Sequence, residues 1–302
     1  MRLWLVGIAA LLLGATLVAG CQILRNSQGP QLQPAAADAL RIGSWNVHYI
    51  LANQADGRWG TGHWLRRRQP MANVFAALDA DIVAFQEMES FAGGNEDNNN
   101  LTRDWLLENN PLYDVAAVGA WQNFPSTQPL LYRRELFNVV DQGWFFFSTT
   151  PDQIYSRTFN GSYPAFASWV QFEHKTTLKR FRIVNVHLDY SDSDNREQSV
   201  ALIISRVRPW LDAGQQVIIA GDLNARFGSS LHSAIESTGM QFVPVHGSTY
   251  HFNLGINLFG AIDHFAYTGG LQPDGDAFVL RSKMGDTWAS DHYPVVVDFK
   301  LP

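Results

Sequence analysis

Cysteine is almost absent from this chain: Cys21 is the single one in 302 residues. No intramolecular disulfide can form, so the fold has to be held by its core. Charge is also sparse, at 17% of residues, and 22 Lys and Arg against 28 Asp and Glu leave a formal net charge of −6. Nothing in that overall balance marks a protein that grips nucleic acid chiefly by releasing counterions, which leaves only a local basic site for such binding. The one compact basic run, "HWLRRRQ" at 63–69, reads as the solvated side of a helix. Internal repeats are lacking at the level of residue identity, and no shift of composition divides residues 41–302. Strong zinc-ligand spacing is missing around His48, His63, His246, His251 and His264, which are expected near one rim in structural or substrate-loop roles.

What the chain does have is apolar bulk. It is 46% hydrophobic, with 19 Phe, 10 Trp and 9 Tyr, enough for one substantial core. The first residues, "MRLWLVGIAALLLGATLVAGC", give one Arg, an apolar stretch and small residues before Cys21, the pattern of a secretory signal. Its ending, "LVAGC", resembles the lipobox of bacterial lipoproteins, in which the cysteine is lipidated and becomes the mature N-terminus. The expectation is a signal at 1–20, a flexible polar tether at 21–40 and one domain at 41–302, lipid-anchored in the bacterial cell envelope on the periplasmic side.

From Arg41 onward apolar runs of strand length alternate with helical spacing. "LRIGSWNVHYI", "HWLRRRQPMANVFAALDA" and "ADIVAFQEM" predict a β-α-β unit, and "NNLTRDWLLENN" a short helix. "QPLLYRRELFNVVDQGWFFF" predicts a hairpin, and "FASWVQFEHKTTLKRFRIVNVHLDY" two antiparallel strands. "NREQSVALIISRVRPWLDAG" has the clearest helical period and a glycine, Gly214, where it should stop.

The ends of these strands share one property. "AGDLNA" at 220–225 closes an apolar run with Asp222 and Asn224, which alternate positions would place on one face of a strand. By itself D-x-N more often marks a turn in which both side chains bond their own backbone. Other apolar runs end in the same way, at Asn46, Glu87, His187 with Asp189, Asp263, and Asp291 with His292. Together they form a set of oxygen donors suited to a hard cation, with histidines suited to proton transfer. The acidic "GNEDNNN" reads as a solvated loop ahead of a calcium loop, and "SDSDN" as either a helix cap or a substrate contact through Asp189 and Arg196.

In order along the chain, "SWNVH", "DIVAFQEME", "NVHLDY", "GDLNA", "AIDHFAY" and "SDHYPVVVDF" resemble the motif series of the endonuclease/exonuclease/phosphatase superfamily, typified by deoxyribonuclease I. The resemblance runs from about residue 41 to the C-terminus. It implies a four-layered α/β/β/α sandwich with catalytic groups at one rim. It also implies a monomeric, Mg²⁺-dependent phosphoesterase, with Mn²⁺ a possible substitute. Glu87 would be the main metal ligand with Asn46 beside it, and Asp291 a second ligand or supporting acceptor. His292 would be the general base, and Asp263 would fix a histidine tautomer. His187 would stabilise charge on a phosphate oxygen, while Asp222 and Asn224 position water and phosphate.

One departure stands out. "NFPSTQPLLYRR" carries no acidic residue where deoxyribonuclease I places a carboxylate behind a catalytic histidine. The expected substrate is a phosphodiester, nucleic acid first and phospholipid or sphingomyelin head group second. A non-catalytic surface lipoprotein is disfavoured because every motif residue is present. The N-terminal reading has its own test: wild-type chain expressed in a bacterium should incorporate labelled palmitate and partition into membranes. Cys21→Ser should take up no label and be left unprocessed or released to the periplasm, and absence of label in the wild type would refute lipidation.

Overall fold

Strand-length apolar runs alternate with amphipathic helices, and the computed structural model shows how they stack; it describes residues 2–36, 38–91 and 99–300. The elements begin with α1 (Arg2–Asn26), β1 (Ala39–Asn46), β2 (Ile50–Leu51), α2 (Thr61–Leu78), β3 (Ile82–Gln86) and β4 (Ser90–Phe91). Then follow α3 (Leu101–Asn109), β5 (Tyr113–Ala116), β6 (Leu130–Arg133), β7 (Phe137–Phe146), β8 (Phe166–His174), β9 (Arg180–His187) and α4 (Ser193–Asp212). The last are β10 (Gln216–Asp222), α5 (Ser230–Glu236), β11 (Gln241–Phe242), β12 (Asp263–Tyr267), β13 (Gln272–Pro273), β14 (Phe278–Val279) and β15 (Val295–Lys300). Most of the "GNEDNNN" stretch lies outside the described residues.

One sheet has the order β13-β15-β1-β3-β6-β5 with β14 also on β15; the other runs β11-β12-β10-β9-β8-β7. Strand alternation sorts their side chains into two faces each. Ile42, Ile82, Ala84 and Val297 of the first sheet meet Phe172, Ile183, Ile218, Ala220 and Phe265 of the second in a layer between the sheets. Val83, Phe85 and Val296 turn outward onto Met71, Val74, Phe75 and Leu78 of α2. Val184, Val217 and Ile219 turn the other way, onto Val200, Ile203 and Val207 of α4 and Ile235 of α5. Three apolar layers therefore separate four structural ones, and the fold is the α/β/β/α sandwich.

The structure forms the predicted β-α-β unit, with β1 and β3 parallel. It does not form the predicted hairpin. β6 pairs with β3 and β5 of one sheet, whereas β7 pairs with β8 of the other, so the chain changes sheet near residue 135. A short turn between two apolar runs looks the same whether the strands pair or part, because local pattern carries no record of the partner.

Two further expectations are corrected. The basic run is only partly a solvated face: Arg67 is buried and donates to the carbonyls of Val47, Ala289 and His48. The segment expected to be a free tether is tied down. Asn26 is buried; its carbonyl accepts from Ser248 N at 2.8 Å and its side chain donates to Asn257 O at 3.2 Å. Further on, Gln28 O accepts from Arg281 and Gln33 O from Arg41. Polar, unpatterned segments carry backbone groups that any nearby cation can engage. Among the described residues no helix is long and apolar enough to cross a membrane.

Toward one end of the inter-sheet layer the apolar side chains give way to polar ones at the same parity: Ser44 and Asn46 follow Ile42, Gln86 follows Ala84, and Asn185 follows Ile183. Gln86 Nε2 donates to Asn185 Oδ1 at 2.7 Å, and Asn185 Nδ2 donates to Phe85 O at 2.7 Å and to Gln128 O at 3.2 Å. Asn185→Ala should therefore strand several buried groups and lower unfolding free energy by about 1–3 kcal/mol. Urea denaturation measures this, and an unchanged midpoint would show the bridge to be dispensable.

Candidate active site

Directly beyond that amide bridge, five strand ends deliver their last side chains into one place. β1 brings Asn46, the residue after β3 brings Glu87, β9 brings His187, β10 brings Asp222 and β12 opens with Asp263. His292 arrives from the turn before β15, with its carbonyl accepting from Trp45 Nε1 at 3.0 Å. Asn46 Nδ2 lies 3.0 Å from Glu87 Oε1 and 3.3 Å from Asp222 Oδ2. His187 Nε2 stands 3.8 Å from Glu87 Oε1 and 3.7 Å from Asp222 Oδ2. His292 Nε2 stands 3.7 Å from the same Asp222 oxygen, while its Nδ1 meets Asp263 Oδ2 at 3.0 Å.

Local backbone explains why these side chains converge. Glu87 is at φ 53° and Asn224 at φ 46°, a left-handed region that non-glycine residues occupy at a cost and that clusters at functional sites. Gly221, before Asp222, is required: a Cβ there would lie 1.9 Å from Val186 O. The turn reading of "GDLN" also holds, since Asn224 N donates to Asp222 Oδ1 at 2.8 Å. That bond occupies one carboxylate oxygen and aims the other at the histidines, so turn and site are the same feature. Asn224 Nδ2 donates to Leu188 O at 2.8 Å, which fixes the amide beside the strand end.

Electrostatics separate the groups. Burial and the neighbouring Asp263 charge push the Asp222 carboxyl up to about 6, against the pull of His292 and His187. Burial alone would raise Asp263 as well, but its bond to His292 and the charge on that ring hold it below the usual carboxylate range. For His292 burial favours the neutral ring, and Asp263, Asp222 and Asp291 overcome it, pushing the imidazole well up, to about 10. The ring thus holds its proton while the carboxylates around it are uncompensated.

Asp222, Asp263 and His292 present ligand atoms within 4.8 Å of one another, a group able to hold a metal ion. Asp263 Oδ1 is buried without a partner. Among the described residues no Lys or Arg forms an ion pair with Glu87, Asp222, Asp263 or Asp291. Oxygen donors in excess negative charge fit a hard divalent cation. Of the expected ligands, Asn46 presents its NH₂ to Glu87 and Asp222 and its oxygen to His48 N at 3.2 Å, so ligation requires the amide to rotate. Asp291 stands beside His48, Oδ2 to Nε2 at 3.9 Å, and shares with Glu87 its influence on Tyr49 and Arg67.

Asp189 and Arg196 make the bonds of a cap region: Asp189 Oδ1 accepts from Ser191 and Asp192, and Arg196 donates to Asp189 O. Asp192 caps α4 by accepting from Asn195 N. His246 pairs with Asp276 at 2.7 Å and His264 lies buried against His232, whereas His48 and His251 stand at Asp291 and His63 lies 6.4 Å from His48, so the expected rim holds for three of the five histidines. Three groups at the site went unassigned. His48 touches Asp291, Glu89 sits beside Glu87 with its carboxyl pushed up to about 7 by burial and that neighbour, and Tyr250 packs on His292 at 5.0 Å. The i, i+2 spacing of Glu87 and Glu89 is the signal that could have found one of them.

Comparisons with known proteins agree with this geometry. The family model described as Endonuclease/Exonuclease/phosphatase family matches residues 43–292. No curated protein matches the sequence. An endonuclease/exonuclease/phosphatase family protein from Bacteroides thetaiotaomicron superposes with a TM-score of 0.72 at 23% identity, over 86% of this chain and 97% of that one. A mannosyl-6-phosphatase of the same organism gives 0.70 at 21%, over 86% and 99%. The catalytic domain of human nocturnin with bound sulfate gives 0.63 at 15%, over 89% and 96%. With the matched span covering every converging strand end from Asn46 to His292, the chain belongs to the endonuclease/exonuclease/phosphatase family, whose members hydrolyse phosphoesters.

Proposed function

We propose that this protein is a divalent-cation-dependent phosphoesterase that cleaves a P–O bond by attack of an activated water, on a compact substrate carrying a ring, such as a phosphorylated sugar or a phosphorylated head group. The observation that carries the substrate class is the character of the rim. Tyr49 stacks on Trp59 at 6.2 Å and 23°, Tyr250 covers His292, and the Tyr163 hydroxyl is pushed up by burial and by the charges of Asp189, Glu87 and Asp222. Of the cations near this rim, Arg67 is buried and engaged with carbonyls, and the exposed Arg58 lies 6.0 Å over the Trp59 ring, an isolated cation and not a track. Flat aromatic surfaces suit a ring, whereas a long polyanion requires a track of cations. The similarity to a mannosyl-6-phosphatase supports the same class.

Within this reading Asp263 fixes Nδ1–H of His292 and leaves Nε2 directed at the site, where it takes the proton of the attacking water. Asp222 holds that water, and His187 donates to a phosphate oxygen as charge grows on it. Mg²⁺ or Mn²⁺ would be held by Glu87, with Asn46 and Asp291 adjacent, and when bound would neutralise phosphate charge and oppose the standing protonation of His292. The chain is further proposed to be a lipid-anchored protein of the bacterial envelope, acting as a monomer.

The second reading is a nuclease, because the Tyr49–Trp59 stack would accept a base as well as a sugar. Assay of the protein with Mg²⁺ or Mn²⁺ against mannose 6-phosphate, sphingomyelin, an RNA oligonucleotide and plasmid DNA decides between them. Turnover fastest on either polynucleotide would overturn the compact-substrate reading.

Roles divide by metal dependence on whichever substrate is cleaved. Glu87→Gln should regain part of its lost rate as Mg²⁺ is raised. His292→Ala should lose roughly 10²–10⁴ in turnover with no recovery. Recovery of His292→Ala with metal, or none for Glu87→Gln, would show the two roles to be reversed.

A further inference from the structure

Beside the catalytic mouth a loop displays apolar side chains to solvent. Residues 252–260, "FNLGINLFG", carry no charged residue, yet Leu254, Ile256, Leu258 and Phe259 are 37–63% exposed. Arg226 places its guanidinium 5.0 Å over the Phe259 ring, and the next residue, Phe227, is 56% exposed. An exposed apolar loop of this kind marks an interaction site.

The loop is built, not slack. His251 N donates to Asp291 O, Leu254 N to His251 O and Gly255 N to His251 Nδ1. His251 is stacked on Tyr293 at 4.0 Å, and Gly255 at φ 71° lies where a Cβ would strike Trp288 at 2.5 Å. Its side chains therefore stay presented instead of folding back onto the domain. The loop's root is fixed to the site, with Tyr250 bridged to His292 and His251 N donating to Asp291 O.

A second observation says what covers it. The end of the apolar helix α1 is fastened to this loop: Asn26 Nδ2 donates to Asn257 O, Asn257 Nδ2 donates to Ser27 Oγ at 2.7 Å, and Ser248 N donates to Asn26 O. Leu24, on the mature side of Cys21, is itself 67% exposed. Cys21 lies five residues before Asn26, about 8 Å along a helix. The exposed cations at the border are Arg25 and Arg226, placed to meet anionic head groups. Apolar surface on an uncharged loop, apolar surface on the helix docked to it and arginines between them have one common complement.

We propose that loop 252–260, with Phe227, is a lipid-docking surface that dips into the head-group boundary of a bilayer and holds the catalytic mouth at the membrane face. The proposal is independent of which phosphoester is cleaved, and its test reads position, not activity.

The test uses the full chain with Cys21→Ser, so that one introduced cysteine can carry a polarity-sensitive dye. Leu254→Cys and Leu258→Cys place the dye on the loop. Leu178→Cys places it on the turn between β8 and β9, a strand length from His187. Vesicles of phosphatidylethanolamine and phosphatidylglycerol in equal amounts carry a quencher in their acyl chains. Dye at 254 and 258 should shift to the blue and be quenched roughly twofold or more, with dye at 178 unaffected. Vesicle-bound protein without quenching at 254 and 258, or with equal quenching at 178, would overturn the proposal. So would a blue shift that appears without vesicles and grows with protein concentration, because the loop would then be covered by a second copy of the chain.

Discussion

Two buried amides determine where chemistry can occur in this sandwich. Gln86 and Asn185 face each other across the layer between the sheets, and their hydrogen bonds end the apolar core on its site side. If either position were apolar, the layer would close over and the strand ends would splay or pack dry. With the amides paired, the next side chains outward, Asn46, Glu87, His187 and Asp222, open onto solvent from a rigid floor. The floor is held by the amide NH₂ groups: Gln86 Nε2 donates to Asn185 Oδ1 and Asn185 Nδ2 donates to two carbonyls, while Gln86 Oε1 stays buried without a partner, at a cost the remaining bonds have to offset.

Above the floor the site is deliberately out of balance. Glu87, Asp222, Asp263 and Asp291 converge with histidines, and among the described residues no arginine or lysine forms an ion pair with them. That imbalance raises Asp222 and His292 together, and it is resolved by a cation or by a proton. A fold that ties Arg67 to three carbonyls keeps the nearest guanidinium from settling the matter itself. The same arginine fixes the loop of Val47 and His48 against Ala289, so one buried side chain both supports the site and leaves its charge unmet.

The backbone cost is concentrated in the same place. Glu87, His48 and Asn224 all take positive φ without being glycine. Each is the first or second residue beyond a strand, where the chain must turn at once for a side chain to stay in the site. Such positions persist where the surrounding structure over-determines them, and here the three apolar layers beneath supply that rigidity.

Much of this was legible in the sequence, because strand parity and helical period are local and the site residues sit at the ends of local patterns. The β-α-β unit, the capped helix α4 and the set Asn46, Glu87, His187, Asp222, Asp263, Asp291 and His292 needed no tertiary information beyond the order of the motifs. What the chain could not show locally was partnership. The β6–β7 turn joins two sheets instead of closing a hairpin, and Arg67 left the solvated face that its neighbours Arg66 and Leu65 keep. The polar segment after Cys21 became docked chain, and Asn185 became half of a bridge to a residue 99 positions away. Sequence settled which groups stand at strand ends, since alternation along a strand is built into the backbone. Tertiary structure alone decided which of those ends meet, because that depends on how two sheets and the helices over them pack.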